Sequence, residues 1–554
     1  MKYLNYIIVT LFLGISMASK SQPAAVKNVA KSVFKLTTYK SDGSVLANSH
    51  GVFVGKDGEA ITALQPLIGA SKATITNANG NNMEVTHIEG INDMYDVAKI
   101  KVNGKTTPAK ITSSPVTSGS QVWLISYADK KPTPITVKSV ETFMSNYSYY
   151  IFSSTAPDNT DACPFVNTSG EVIGLMHKST TTNDLHATDS RFVVSLKNNG
   201  LSVNDATMKK IGIPAALPDN KEQALLSLMM IGQSMDSIKI ESTINDFIAA
   251  YPTMTDGYTA KAQRLTNENK FEDAAKTMET AIQKAEKKDE AHYNYSKLIY
   301  DKNISKPGVP YEPWSLDAAL EQARKAYSVK QHPTYKQQEA KILFLKGEYN
   351  EAYNMFINLT TSEIRNAELF YEAAQCKKMM KASGKETIAL LDSAINNTDT
   401  LRLREAAPYF LMRGEIYNEI DSFRQAVFDY TRYEVLSNGQ VNDGFFYMRE
   451  QAEVKARLYK QALIDITTAI LINPKEPTYY AEKASLELKV NLIEQALKTA
   501  EACVKVAPEY ATGYLLLGLA QINSGDKTSG LNNLEKAKQL GEGQAQALID
   551  KYSK

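Results

Sequence analysis

The C-terminal part of the chain repeats with a spacing of about 34 residues, and this recurrence limits the fold more than any other feature. Pro474 and Pro508 end two successive units, and Ala484 and Gly518 share one position within their units at the same spacing. A recurrence of this length is typical of helix pairs that cannot bury their apolar faces alone and must stack on their neighbours. The sequence therefore predicts an all-α array of seven or eight helix pairs over 223–554.

Small and aromatic residues recur at fixed positions of the unit. In 443–476, positions 17, 20, 24 and 27 hold Tyr459, Ala462, Ile466 and Ala469. Small residues let two helices approach closely and aromatic residues fill the gaps between them. We therefore interpret the Tyr and Phe stripes as core. The pattern resembles the tetratricopeptide (TPR) repeat, which implies a superhelix whose concave surface binds a protein or peptide partner.

Two segments depart from the regular unit. Three prolines within 300–316 predict a loop insertion, because proline ends a helix. In the last unit, Leu515, Leu519 and Ile522 fall on the face that would line the groove. We expect the final helix, about 544–552, to fold over these residues as a cap, because terminal repeats need a covered face.

The region before the array, 26–197, has a different pattern. Short runs rich in β-branched and aromatic residues alternate there with polar turns. Many short strands at even spacing favour a barrel or a sandwich. The predicted strands include residues 33–36, 121–125, 134–140, 149–152 and 191–196.

Three segments of this region carry the pattern of a hydrolytic active site with altered residues. The run Gly51–Thr62 leads to Gln65, and the strand 96–102 begins with Asp96. Asp161 lies in the run Asn-Thr-Asp-Ala-Cys-Pro-Phe-Val-Asn at 159–167, which precedes Gly-Glu-Val-Ile-Gly. These segments resemble the HtrA-type trypsin-like serine proteases, in which the three positions hold histidine, aspartate and serine.

The resemblance covers about 30–197 and implies an all-β trypsin-like double barrel of six strands each, with a degenerate triad. Acyl transfer by this family needs a hydroxyl that is activated by an imidazole base. The Gln65 amide cannot accept a proton near neutral pH, and Asp161 offers a carboxylate in place of the hydroxyl. We expect Asp96 to remain as a hydrogen-bonded relic, paired with the Gln65 side-chain amide. The sequence thus predicts a pseudoprotease with no catalytic residues.

Cys163 and His50 are the alternative catalytic candidates. A cysteine and a histidine can together make a nucleophile, but the simpler interpretation is a buried, apolar Cys163 and a His50 exposed on a loop. His87 and His177 have no second ligand at metal-like spacing, so we interpret both as structural. The sequence predicts no cofactor and no metal.

Composition excludes some classes of partner and describes the two ends. A net charge of +1 with interspersed signs gives no basis for nucleic-acid binding. Residues 1–21 have a positive start, a short apolar run and small residues, which predicts a cleaved signal peptide and export to the periplasm or outer membrane of a Gram-negative bacterium. No later run is long enough for a transmembrane segment. Residues 198–222, rich in turn formers, are predicted to be a linker.

Together these features predict an exported, non-catalytic protein-binding scaffold. One alternative is a serine- or cysteine-type endopeptidase with a non-standard active site. Another is a periplasmic, chaperone-like peptide binder that adds extended chains to a strand of the former substrate cleft. The sequence leaves open the identity of the partner and the oligomeric state.

Overall fold

The computed structural model describes residues 23–155, 157–179, 182–231 and 236–554. The predicted signal peptide at 1–21 therefore lies outside the described residues. The chain divides into two compact units between Ala291 and His292. Because the segment 198–222 falls inside the first unit, the predicted linker does not coincide with this division.

The first six strands form a closed barrel in the order β1-β2-β3-β6-β5-β4. Their side chains alternate between buried and partly exposed positions, as the two-residue period of a strand requires. Phe34, Leu36, Ile75 and Ile100 are fully buried in its core. The strands are β1 (Val33–Tyr39), β2 (Val45–Phe53), β3 (Glu59–Ala63), β4 (Lys72–Thr76), β5 (Asn82–Asn92) and β6 (Val97–Val102).

The second sheet has the strand order β8-β7-β11-β12-β13-β10-β9. Its strands are β7 (Gln121–Ile125), β8 (Pro132–Thr136), β9 (Ser139–Phe143), β10 (Tyr147–Phe152), β11 (Pro164–Val166), β12 (Val172–Lys178) and β13 (Leu185–Asp189).

The chain itself completes the ring of this second sheet. The Val137 N–H donates to the Ser120 carbonyl beside β7, and the next residue, Lys138, donates to the Ile151 carbonyl of β10. Strands β8 and β9 are therefore two halves of one extended segment that passes from β7 to β10. Six segments surround the core of Tyr150, Phe152, Phe165 and their neighbours. The predicted all-β double barrel followed by an all-α array is confirmed.

One predicted strand is wrong. The segment 191–196 is not extended, because Ser190–Ser195 form a helix, α2. Another short helix, α1, precedes the first strand and spans Ala24–Asn28. The Asp189 carboxylate accepts the Arg191 N–H at the start of α2 and also pairs with the Arg191 guanidinium. This capping overrides the strand preference of the Phe-Val-Val run.

The predicted linker packs on the first barrel. Met208 of α3 (Ala206–Lys210) is buried in the same apolar cluster as Phe34, together with Ile211 and Ile213. The Ala216 N–H donates to the Ile88 carbonyl of β5. These contacts come from the apolar residues between the turns, which an interpretation based on turn formers alone overlooks.

Helices follow in the first unit from residue 221. They are α4 (Lys221–Met230), α5 (Ser237–Ala250), α6 (Thr255–Asn267) and α7 (Phe271–Lys284). His87 of β5 lies against α5, with its Nε2 2.9 Å from the Asp246 Oδ2.

The second unit consists of paired helices. Helix α8 (Lys288–Ser305) contains the division between the units. It extends into the predicted loop insertion at 300–316, so only residues 306–315 separate it from α9. Three successive pairs begin at Asp443, Pro477 and Ala511, at equal intervals that match the sequence repeat. The further helices are α9 (Leu316–Val329), α10 (Pro333–Lys346), α11 (Tyr349–Leu359), α12 (Ala367–Met379), α13 (Gly384–Asn396), α14 (Ala407–Glu419), α15 (Phe423–Leu436), α16 (Asp443–Lys455), α17 (Tyr459–Ile472), α18 (Pro477–Lys489), α19 (Ile493–Val506), α20 (Ala511–Ser524), α21 (Lys527–Gln539) and α22 (Ala545–Ser553).

Small residues set the helix spacing in the last pair. A Cβ added to Gly518 of α20 would lie 2.8 Å from the Gly530 carbonyl oxygen of α21, so the two backbones are in direct contact. The final helix packs with Leu515, Leu519 and Ile522 in one apolar cluster, which confirms the predicted cap. Within the described residues, no helix has the length and apolar character that a membrane crossing requires.

Candidate functional site

The first two triad positions meet through the backbone. Gln65 begins a short 3-10 helix, Gln65–Leu67, directly after β3, and its N–H donates to the Asp96 Oδ1 at 2.7 Å. The Gln65 side chain is exposed. The expected pairing with the Gln65 side-chain amide is therefore wrong, because the main chain supplies the donor.

Asp96 is held in an unusual backbone conformation between β5 and β6. Its φ is +47°, in the left-handed region. Burial raises the pKa of Asp96, against the opposing effect of the Gln65 N–H. Asp96 thus anchors the turn that carries Gln65, which is a structural task that needs no histidine.

The third position lies in a loop before β11. Asp161 is exposed and has its Oδ1 3.8 Å from the Lys178 Nζ. Asn159 and Ala162 both have positive φ, at +58° and +61°. These are conformations that glycine adopts freely and that side chains discourage, so the loop keeps a glycine-type backbone without glycine. The Ala162 N–H donates to the Met176 carbonyl of β12, which fixes this loop on the sheet.

The location of His50 differs from the predicted exposed loop. It lies in β2, opposite Lys35 of β1, and only 7% of its surface is exposed. The Nδ1 of His50 is 3.2 Å from the Asp161 backbone carbonyl oxygen, and its ring lies 5.9 Å from that of Tyr127. The register puts His50 on the same face as Lys35, outside the barrel core, and the contacts with Asp161 and Tyr127 bury it there. Burial lowers the pKa of His50, although the Asp161 carbonyl opposes this change.

Cys163 is fully buried in the core of the second sheet, as predicted. Burial raises the pKa of its thiol to about 12. A thiol in this state carries almost no thiolate near neutral pH, and the thiolate is the nucleophile. Cys163 therefore acts in this fold as a small apolar side chain.

The second unit has a groove between the first helices of successive pairs. It has a volume of about 310 Å³ and an aromatic and aliphatic floor, with Lys378 and Glu415 forming an ion pair across it at 2.5 Å. Sequence analysis assigned the aromatic stripes to the core and missed this groove. Its apolar lining is Phe344 of α10, Tyr371 and Met379 of α12, and Pro408, Leu411 and Met412 of α14.

The helical part is similar to two tetratricopeptide-type proteins. The Small glutamine-rich tetratricopeptide repeat-containing protein 2 of Saccharomyces cerevisiae is 30% identical over 95 residues, 17% of this chain and 28% of that protein. The Hsp70-Hsp90 organizing protein 2 of Arabidopsis thaliana is 34% identical over 67 residues, 12% of each chain. The chain thus spans less than a third of the length of either relative. No family model matches the chain.

Solved protease structures also match part of the chain. The match with the inactive form of the Rv3671c protease covers 31% of this chain and 90% of the protease chain, with 15% identity and a TM-score of 0.27. The match with the serine endoprotease of Yersinia pestis covers 31% of this chain and 62% of the endoprotease chain, with 18% identity and a TM-score of 0.27. At such scores the fold assignment depends on the strand order and pairing described above.

Proposed function

We propose that this protein is an exported, non-catalytic scaffold that binds a protein or peptide partner through its helical array. The observation that carries this proposal is the state of the triad positions. Gln65 has no proton-accepting group, the Asp96 carboxylate accepts a main-chain N–H, and Asp161 faces Lys178. The three positions thus hold neither an imidazole base nor a hydroxyl nucleophile.

The groove of the second unit supports the binding part of the proposal. Aromatic and methionine side chains offer a deformable apolar surface that accepts a bulky side chain of a partner. The Lys378–Glu415 ion pair supplies a donor and an acceptor at the same place. The partner class that fits is an apolar peptide segment with polar groups beside its anchor residue.

Hydrolysis assays test the absence of catalysis. Purified protein without residues 1–21 is incubated with unfolded casein and a mixed fluorogenic peptide library, beside Asp161→Asn and Cys163→Ala. We expect no turnover above the buffer rate in any of the three samples. Turnover that disappears in Cys163→Ala would overturn the proposal in favour of a cysteine-type endopeptidase with His50 as base.

Site-specific crosslinking in cells tests the binding surface. A photo-crosslinking residue at Gln375, inside the groove, is compared with one at Lys460, an exposed residue of α17. We expect discrete adducts from position 375 that diminish when Tyr371→Ala or Met379→Ala is added. Equal adducts from both positions, or none from position 375, would count against the groove as the binding surface.

A second candidate function is peptide binding by strand addition in the β region. The pairing of β12 with β11 ends at Leu175, opposite Pro164, and β12 continues beyond it to Lys178. Among the described residues, the backbone hydrogen bonds on that side end with Met176, which bonds Cys163 and Ala162. The edge at Lys178 could therefore pair with an extended chain. Retention of a reduced, unfolded substrate that is lost in Lys178→Pro but kept in Lys178→Ala, which preserves the main-chain N–H, would favour this candidate over the groove.

A further inference from the structure

Three side chains on neighbouring strands converge in the second sheet. His177 of β12 and His186 of β13 are direct partners in the strand register, and Tyr149 belongs to β10, the next strand beyond β13. The Tyr149 Oη lies 2.7 Å from the His177 Nε2 and 2.9 Å from the His186 Nδ1. All three side chains are partly buried.

We propose that His177, His186 and Tyr149 form a binding site for a divalent transition metal ion, with Zn²⁺ as its simplest occupant. Two imidazole nitrogens and a phenolic oxygen are a donor set that suits this class of ion. Donor atoms bound to one zinc ion at about 2.0–2.1 Å are roughly 3.3 Å apart. The two distances from the Tyr149 Oη, 2.7 and 2.9 Å, are shorter than this by about half an ångström, so the side chains would have to rotate apart to admit the ion.

The electrostatics of the cluster favour a cation. Glu141 is the partner of Tyr149 in β9, and its carboxylate adds negative charge beside the phenol. The positive charge nearest in sequence, Lys178, faces Asp161 instead.

A structural role alone would use the cluster as a hydrogen-bond network. In that arrangement the phenol donates to one imidazole nitrogen and accepts an N–H from the other, and every group is satisfied. Metal binding differs in its proton balance. The ion forms a bond to the Tyr149 oxygen, the O–H bond breaks, and the proton passes to solvent. A bound divalent cation stabilises the phenolate form of Tyr149, which allows it to displace this proton.

Calorimetric titration with Zn²⁺ tests the site. The full protein without residues 1–21 is freed of metal by a chelator and titrated in two buffers of different ionisation enthalpy. We expect one ion per chain and the release of about one proton. Tyr149→Phe and His186→Gln should each weaken binding by roughly 100-fold. Tyr149→Phe should also abolish the proton release.

Two matched variants serve as controls. Tyr147→Phe removes the hydroxyl two residues away in the same strand, where it bonds the Ser195 hydroxyl. His332→Gln removes a histidine of the second unit. Both should bind Zn²⁺ as the unchanged protein does.

Two results would overturn the metal site. Absence of a one-to-one complex in the unchanged protein would exclude it. So would binding that Tyr149→Phe leaves unaltered in both affinity and proton release. Because Tyr149→Phe removes one oxygen atom, circular dichroism identical to that of the unchanged protein is expected. That check separates loss of a ligand from loss of the fold.

Discussion

Polar side chains near the former triad positions of the β region are held differently from the buried charges of the helical array. In the β region, Asp96 accepts a main-chain N–H and His50 contacts a main-chain carbonyl. In the array, Arg413 bonds Asp392 of α13 and Asp429 of α15, so side chains hold each other. A group that is held by the main chain leaves its neighbours free to change. This explains how the backbone around Gln65 and Asp161 can keep its arrangement when the side chains at these positions differ.

The array repeats this arrangement one pair further along. The Arg449 Nε is 2.6 Å from the Asp465 Oδ2 of α17, and its Nη1 is 2.7 Å from the Glu434 Oε2 of α15. Arg449 and Asp465 are nearly fully buried. We call each arginine with its two acids a ladder. Burying charges is costly unless they are paired, so each member of a ladder depends on the others.

The largest effect is expected from breaking one ladder. Arg449→Leu leaves Asp465 and Glu434 without their shared partner in a buried setting. We expect the free energy of unfolding of the helical array to fall by about 3–5 kcal/mol. Urea unfolding followed by far-ultraviolet circular dichroism measures this loss. Arg432→Leu is the matched control, because Arg432 is exposed and lies over the Phe428 ring. Equal losses in both variants would contradict the role of the ladder.

A smaller effect concerns pH. Glu453 of α16 is nearly fully buried, and burial raises its pKa from 4.5 to about 8. The folded chain thus binds this proton more tightly than the unfolded chain does. Glu453 stabilises the fold fully at pH values below the carboxyl pKa of the unfolded chain, 4.5. This stabilisation is lost as pH rises through the pKa of about 8 in the folded chain.

The matching variant is Glu453→Gln, which cannot ionise. We expect it to be more stable than the unchanged protein by about 2 kcal/mol at about pH 9, with a smaller difference in acid. Urea unfolding at several pH values measures the difference. Exposed Glu501→Gln should follow the unchanged protein at every pH, and a flat pH response of the Glu453→Gln difference would refute the assignment.

The smallest effect is expected where the first barrel contacts helix α5. His87 and Asp246 are partly exposed, and Ser242 shares their contact with its hydroxyl 3.2 Å from the Asp246 Oδ2. A double-mutant cycle with His87→Ala and Asp246→Ala should give a coupling of about 1 kcal/mol. Thermal unfolding of the four proteins measures it. A coupling of zero would show that the contact between His87 and Asp246 does not stabilise the position of the helix on the barrel.

The fold of both regions could be predicted largely from local pattern. The regular repeat of the C-terminal part required stacked helix pairs, and the starts of α16, α18 and α20 follow its spacing. Alternating strands indicated barrels. The failures occurred where tertiary contacts override local preference. The Asp189 cap turns 191–196 into a helix, and three apolar residues bind the turn-rich segment after it to the barrel.

The candidate sites were less predictable because they depend on pairing between strands. The motif located Gln65, Asp96 and Asp161, but it could not say that a backbone N–H would join the first two. His50 was misplaced because its neighbours have the pattern of a turn. Tyr149, His177 and His186 share a face only when β10, β12 and β13 are aligned, and sequence spacing does not record that register.

The ladders also restrict how the array can change in evolution. Arg413 and Arg449 each belong to two helix pairs at once, because one acid lies in the pair of the arginine and the other in the pair before it. Repeat proteins ordinarily gain or lose length by duplicating or deleting a unit. Within 384–472, an arginine keeps both partners after such an event only if the pair that comes to precede it carries an acid at the matching place. The helix pairs of this stretch must therefore match in charge as well as in shape to replace one another.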